Sequence, residues 1–318
     1  MNLHLMDCSN YIYAGAAHEK YKSFGVTEIR GMYQNCSLPI GGLCYLLKCY
    51  QELVTPNDIV VMCFDATPTV KYRLLEESTG GVYKYKGNRT PQPSYLKFEK
   101  ILCREVAERC NIPCAYADGY EADDLIYTLV KEYQNDFENV YIHTRDSDLA
   151  FLVSDNVSIQ PTGNTGKVID RTNYSKAIFK DRDIPYNTII LNKLLYGDTS
   201  DNIPPIPGLW IHYNKFFTPD LLPECGDPEF VKSILDKIVK ETADATPKIN
   251  QSDVDLLLKM VVPIQLDIQD IMVNDLEETA NMEVITNFYL NGLMSVGESF
   301  SDEIQFLLLK AEEFLEDY

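Results

Sequence analysis

Short apolar runs bounded by polar residues recur along the first two-thirds of the chain: LHLM at 3–6, IVVMCF at 59–64 and NVYIHT at 139–144. Runs of this length predict buried strands of a parallel sheet. Between them the apolar residues fall at helical spacing, around Gly42–Glu52, around Tyr95–Cys110 and over Glu121–Tyr133. The last of these sets Leu125, Ile126, Leu129, Val130 and Tyr133 on one stripe and places its acids in the first turn, where the helix dipole favours them. Alternating strands and helices predict an α/β fold with a mostly parallel central sheet flanked by helices.

Residues 66–94 interrupt the alternation. Their Gly-, Lys- and Tyr-rich stretch TGGVYKYKGNRTPQP has no sustained period and is too long for an ordinary connection, which predicts a functional loop or arch. From Ile184 the pattern turns helical, broken by GDTSDNIPPIPG at 197–208, and the last hundred residues read as acidic helices ending in DEIQFLLLKAEEFLEDY. The expected division is therefore an α/β core over 1–183, a short helical region over 184–218 and an acidic helical region over 219–318.

Composition narrows the class. At 318 residues, 45% hydrophobic and 24% charged, the chain has the make-up of a globular protein. No apolar run reaches the roughly 18 residues of a membrane span, and the first residues lack the pattern of a secretory signal. Nine cysteines, with no CxxC pair, suggest reduced thiols in a cytoplasmic setting.

A net charge of −20 speaks by itself against a nucleic-acid partner. The charge is uneven, however. Residues 219–318 hold 22 acidic and 6 basic side chains, whereas residues 71–104 hold eight basic groups (Lys71, Arg73, Lys84, Lys86, Arg89, Lys97, Lys100, Arg104) and three acidic ones.

Several acids directly follow the predicted strands. Asp7 follows the first, Asp65 the second, and Asp146 and Asp148 the third; Glu121, Asp123 and Asp124 stand at a helix start, and Asp198 and Asp201 lie in GDTSD. The carboxyl ends of the strands of an open α/β sheet line its ligand crevice. Any one acid is as readily a helix cap, but nine converging on one edge would repel unless cations neutralised them. An all-oxygen set suits Mg²⁺ or Mn²⁺, and four histidines without ligand-spaced cysteines make zinc a poor fit. Two such ions about 3.5–4 Å apart can activate water and stabilise both oxygens of a phosphodiester displacement.

GYEADDLI (119–126), TRDSDL (144–149), YKGNR (85–89) and GDTSDNIPPIPG (197–208) stand in the order and spacing of the 5′-nuclease superfamily. Over residues 1–215 or so the chain resembles the bacteriophage 5′–3′ exonucleases and flap endonucleases, and the 5′-nuclease domain of repair-type bacterial DNA polymerases, with their PIN-like fold. The resemblance implies a Mg²⁺-dependent enzyme that cuts DNA at flaps, nicks or single-stranded 5′ ends, leaves a 5′-phosphate and acts in replication or repair. It implies that Asp7, Asp65, Glu121, Asp123 and Asp124 gather around one metal, and Asp146, Asp148, Asp198 and Asp201 around a second. Asp124 could instead hold the helix end. Lys86 and Arg89 match a basic pair facing the scissile phosphate, and Arg73 a further phosphate-facing arginine; with Lys84, Tyr85 and Gly208 they form the expected nucleic-acid contacts. Tyr72, Tyr83, Tyr85 and Tyr95, interleaved with the basic groups, could stack on unpaired bases or pack within the loop.

The resemblance fails in two places. Where the family carries a glycine-rich hairpin that cradles duplex phosphates, only Gly208 matches; Trp210 stands at the second glycine and His212 at the lysine. Trp210 is expected to plug the core, with base stacking as the alternative. The arch also carries the extra residues 78–81, whose Gly80 and Gly81 suggest a hinge. The acidic region 219–318 matches nothing in the family; it either packs on the core or docks a basic replication protein. Two rival readings share the site: a ribonuclease removing RNA primers from RNA–DNA hybrids, and a catalytically silent binding protein.

Overall fold

The computed structural model describes residues 1–18, 25–26, 38–39, 41–162, 167–173 and 188–273. Its strands are β1 (Asn2–Asp7), β2 (Gly25–Val26), β3 (Leu38–Pro39), β4 (Ile59–Cys63), β5 (Cys114–Tyr116), β6 (Asn139–His143), β7 (Val157–Gln160) and β8 (Met272–Val273). The helices among the described residues are α1 (Cys8–Ala17), α2 (Gly41–Leu53), α3 (Thr69–Ser78), α4 (Ser94–Arg109), α5 (Ala122–Tyr133), α6 (Ile189–Tyr196), α7 (Leu209–Phe216), α8 (Pro228–Glu241) and α9 (Gln251–Val261).

The central sheet runs β7-β6-β1-β4-β5-β8. Its first five strands are parallel, and β8 is added antiparallel at the β5 edge. The pleat sends alternate residues to opposite faces. Leu3, Leu5, Val61, Cys63, Val140 and Ile142 join α5 and the later helices in one core. Met6, Val60 and Met62 join α1, α2 and α4 in a second core on the other face. The sheet is thus covered on both sides, as its near-continuous apolar strands require.

The three strands expected from the apolar runs are β1, β4 and β6. Two others, β5 and β7, are three and four residues long and too short to carry a periodic signal. Part of the stretch expected to lack regular structure is helical: α3 spans Thr69–Ser78 and buries only Lys71 and Leu75, an i, i+4 pair too sparse to show as a stripe. Residues 79–93 contain no helix or strand.

Residues 219–273 are not set apart from the core. Val231, Leu235, Ile238, Val254 and Leu257 share it with α5. The Ile264 N–H donates to Asp124 at 2.7 Å and the Leu266 N–H to the Thr128 hydroxyl at 3.0 Å, fastening the segment after α9 along α5. Ile184 and the sequence DEIQFLLLKAEEFLEDY lie outside the described residues.

Candidate metal and phosphate site

Parallel register brings the ends of three adjacent strands level. Asp7 is opposite Cys63, two residues before Asp65, and Met6 is opposite His143, three before Asp146. Each acid is then fixed locally. Asp7 caps α1 by accepting from the Asn10 N–H and also accepts from the Thr144 hydroxyl at 2.9 Å. Asp65 accepts from the Ala122 N–H at 2.8 Å, from the Ser9 hydroxyl and from Lys100 at 3.3 Å. Asp146 accepts from the Asp148 N–H at 2.9 Å.

Helix α5 supplies the next group. Glu121 is its N-cap and forms a reciprocal capping box with Asp124, a short polar device that needs both residues three apart. The Asp123 carboxyl is held well above the usual range by burial and by the charges of Asp146, Asp7, Glu121 and Asp148. Burial, with Asp65 adding to it, likewise pushes Asp7 up to about 7. Asp7 thus feels the charges of Asp65 and Asp146, and Asp123 those of Asp7 and Asp146, across a shared space.

A second group forms where GDTSD folds as a tight hairpin, with the Asp198 and Ile203 backbones bonded to each other in both directions. One oxygen each from Asp148, Asp198 and Asp201 lies within 4.8 Å of the others. Burial pushes Asp148 up to about 6, against the pull of Lys193. Burial also raises Asp198, but Lys193 and Ser200 outweigh it and leave that carboxyl below its usual range. A small cavity lined by Asp123, Asp148, Asp201, Lys71, Lys193 and Tyr85 joins the two groups, roofed by Met260, Val261 and Pro263.

The basic turn at 84–89 is clasped onto this hairpin. The Lys86 N–H donates to the Asp201 carbonyl at 2.8 Å, Arg89 Nε to the Ser200 carbonyl at 3.2 Å, and Asn202 Nδ2 to the Lys84 carbonyl at 2.9 Å. The Lys86 ammonium pairs with Glu121 and the Arg89 guanidinium with Asp201. Both cations thus border the carboxylates directly. Lys84 and Arg73 are exposed.

Three expected site residues are engaged in structural contacts, which for Asp124 is the helix-end alternative. Tyr85 is buried, its hydroxyl 2.7 Å from Glu121 and 3.0 Å from Asp201, so it braces the acids and presents no face for a base. Asp124 is committed to structure: one oxygen accepts from the Glu121 N–H at 2.9 Å, the other from the Ile264 N–H at 2.7 Å and Lys71 at 3.1 Å. Gly208 opens α7 in the left-handed region at φ 80, and a Cβ there would stand 2.7 Å from Pro247. Backbone geometry and packing alone therefore demand glycine at 208. Trp210 is not in the core; it is 68% exposed.

Three cations that the sequence reading did not place at the site are found there. Lys193 of α6 lies 2.6 Å from Asp148 and 2.7 Å from Asp198, Lys71 reaches Glu121 and Asp124, and Lys100 reaches Asp65. The available signal for Lys193 was a single lysine inside the apolar run IILNKLLY, five residues before Asp198.

The donor set at the mouth is entirely oxygen. Nine carboxyl groups gather there against five cations, Lys71, Lys86, Arg89, Lys100 and Lys193, an excess of acid that fits a hard divalent cation.

The model of the family described as "5'-3' exonuclease, N-terminal resolvase-like domain" matches residues 2–180. DNA polymerase I of Caldicellulosiruptor bescii is 30% identical over 200 residues, 63% of this chain and 22% of that polymerase. DNA polymerase I of Bacillus subtilis is 34% identical over 181 residues, 57% of this chain and 19% of the polymerase. The chain thus spans about a fifth of the length of these curated relatives. Among solved structures, the T5 D15 protein co-crystallised with metal ions is similar in fold, with a TM-score of 0.54 at 16% identity, over 98% of this chain and 100% of that one.

Proposed function

The chain belongs to the 5′–3′ exonuclease family through its N-terminal resolvase-like domain, a family of metal-dependent nucleases, and from that premise we propose a Mg²⁺-dependent, structure-selective 5′–3′ exonuclease and flap endonuclease. It hydrolyses phosphodiester bonds of DNA at flaps, nicks or single-stranded 5′ ends, leaves a 5′-phosphate, and serves replication or repair, encoded by a phage and working in the host cytoplasm. The observation that carries this reading is the meeting of two carboxylate groups with a basic turn that presents Lys86 and Arg89 to the same opening.

Asp7, Asp65, Asp123 and Asp146 would hold one cation, and Asp148, Asp198 and Asp201 a second, with Glu121 between them. When bound, such ions supply Lewis acidity for activating water and for neutralising charge on the departing oxygen. The rest is the work of side chains. Arg89, with a planar two-donor fork, clamps the non-reacting phosphate oxygens, and Lys86 offsets charge as the P–O bond lengthens. Thr144 orients the Asp7 carboxylate and Lys100 that of Asp65. Tyr85 keeps Glu121 and Asp201 in register. Met260, Val261 and Pro263 line the same cavity with apolar groups, and a less polar wall strengthens the charged contacts beside it.

The test is a panel of 5′-labelled substrates: flap, nick, blunt duplex and RNA–DNA hybrid. Cutting of flap or nick with Mg²⁺, stopped by EDTA, is the expected result. A protein that cuts only the hybrid is a primer-removing ribonuclease, and one that cuts none refutes the proposal.

A further inference from the structure

Trp210 is the single tryptophan of the chain, and it projects from the first turn of α7. Ile211 beside it is 47% exposed, and Tyr196, at the end of the helix α6 that α7 packs against, is 69% exposed. The exposed positions of α7 are Trp210, Ile211, Asn214 and Lys215, which at one- and four-residue steps share one side of the helix, while Leu209 and Phe216 turn inward. The place is close to the acids in the chain: Tyr196 precedes Asp198 by two residues, and the Ile206 N–H donates to the Leu194 carbonyl at 2.8 Å, tying the segment after the hairpin back onto α6.

Charge selects the kind of occupant. In a chain of net −20, α7 has no acidic residue. Lys215 is among the exposed positions of this face and is reached by Glu241 of α8 at 2.8 Å, while Lys237 of α8 lies 5.9 Å from the centre of the inward-turned Phe216 ring. Bare aromatic rings beside amide and ammonium groups, on a helix without carboxylates, suit a polyanion that carries flat apolar faces. Stacking on an aromatic ring accepts any nucleobase.

We propose that Trp210, with Tyr196, is a nucleobase-stacking site that holds an unpaired or terminal base of the DNA next to the position of cleavage. The inference rests on the nuclease reading above and adds to it the surface that grips the substrate.

Being the chain's single tryptophan, Trp210 reports on itself. A nicked flap duplex with a non-hydrolysable linkage at the junction is titrated in Mg²⁺ while tryptophan emission and the anisotropy of a DNA label are followed together. The same duplex is then tested with an abasic residue at each position around the junction. Emission should fall by roughly half as DNA binds, the quench should vanish at one abasic position, and W210A should weaken binding about 10- to 100-fold while W210F retains most of it. Emission that stays constant while anisotropy reports saturation overturns the proposal, as does W210A binding as tightly as the parent. In either case the parent still cuts the ordinary flap substrate; a parent that does not cut signals failure of the nuclease reading instead.

Discussion

Lys193→Met removes a buried ammonium and keeps the length of the side chain. The ammonium sits 2.6 Å from Asp148 and 2.7 Å from Asp198, both of them largely buried. At an effective dielectric near 20, each contact amounts to roughly 6 kcal/mol of gross attraction, most of it offset by desolvation. Removing one partner of such a buried arrangement costs about 3–5 kcal/mol, because the carboxylates left behind have no counter-ion. Asp148, already pushed up to about 6, rises further. A carboxyl whose folded value exceeds its unfolded value favours the fold below the unfolded value and loses that contribution as pH climbs through the folded one. The loss in the variant should therefore be smaller at pH 5, where only the contact with Asp198 still counts, and full at pH 8. At about 2–4 °C per kcal/mol, the drop in Tm at pH 8 should be about 6–20 °C. Divalent cations, placed where the lysine stood, should restore more stability to the variant than to the parent. Differential scanning fluorimetry from pH 5 to 8, with Mg²⁺ or EDTA, measures all of this. A Tm at pH 8 within 2 °C of the parent would refute the reasoning.

Burial pushes Glu99 up to about 7, against the Leu43 and Gly42 N–H groups that donate to it, and its second oxygen has no hydrogen-bond partner among the described residues. Its share of stability is whole below about pH 4.5 and lost towards pH 7, roughly 3 kcal/mol in all, so E99Q should flatten the pH–Tm profile across that window. A slope equal to the parent's would count against it. Gly197 lies at φ 77, and a Cβ there would stand 2.7 Å from the Ile203 carbonyl oxygen, so G197A should lower stability by about 2–4 kcal/mol in urea and loosen the hairpin. R89K keeps the charge and loses the fork; turnover should fall at least about tenfold in a steady-state flap assay while Tm moves little. Affinity for DNA should weaken steeply between low and moderate salt despite the acidic composition, since the contacts are basic, and a flat salt titration would argue against that surface.

The acids at the strand ends were legible because β1, β4 and β6 are apolar runs that stop at a carboxylate, and parallel pairing then levels their ends. Helix α5 was legible from its apolar stripe and from the acids of its first turn. What the sequence hid depends on contacts between distant segments. Tyr85 reads as one more aromatic in a basic loop, yet its partners are 36 and 116 residues away. Asp124 reads as either a ligand or the holder of the helix end, and the Ile264 N–H that claims it comes from 140 residues downstream. Trp210 reads as core by size alone, whereas the left-handed turn at Gly208, pressed on Pro247, sets how α7 leaves the hairpin and which of its residues turn inward. Lys193 was hidden in an apolar helix whose charge is balanced only in three dimensions.

The central claim is that carboxylates from separate strands, a helix start and a hairpin jointly hold divalent ions. Calorimetric titration of the metal-free protein with Mn²⁺ tests it directly, with Asp146→Ala alongside and circular dichroism checking that both are folded. Saturable binding in the parent, with at least one site lost in the variant, is the predicted result; no heat of binding in a folded parent, or equal binding in the two, would contradict it.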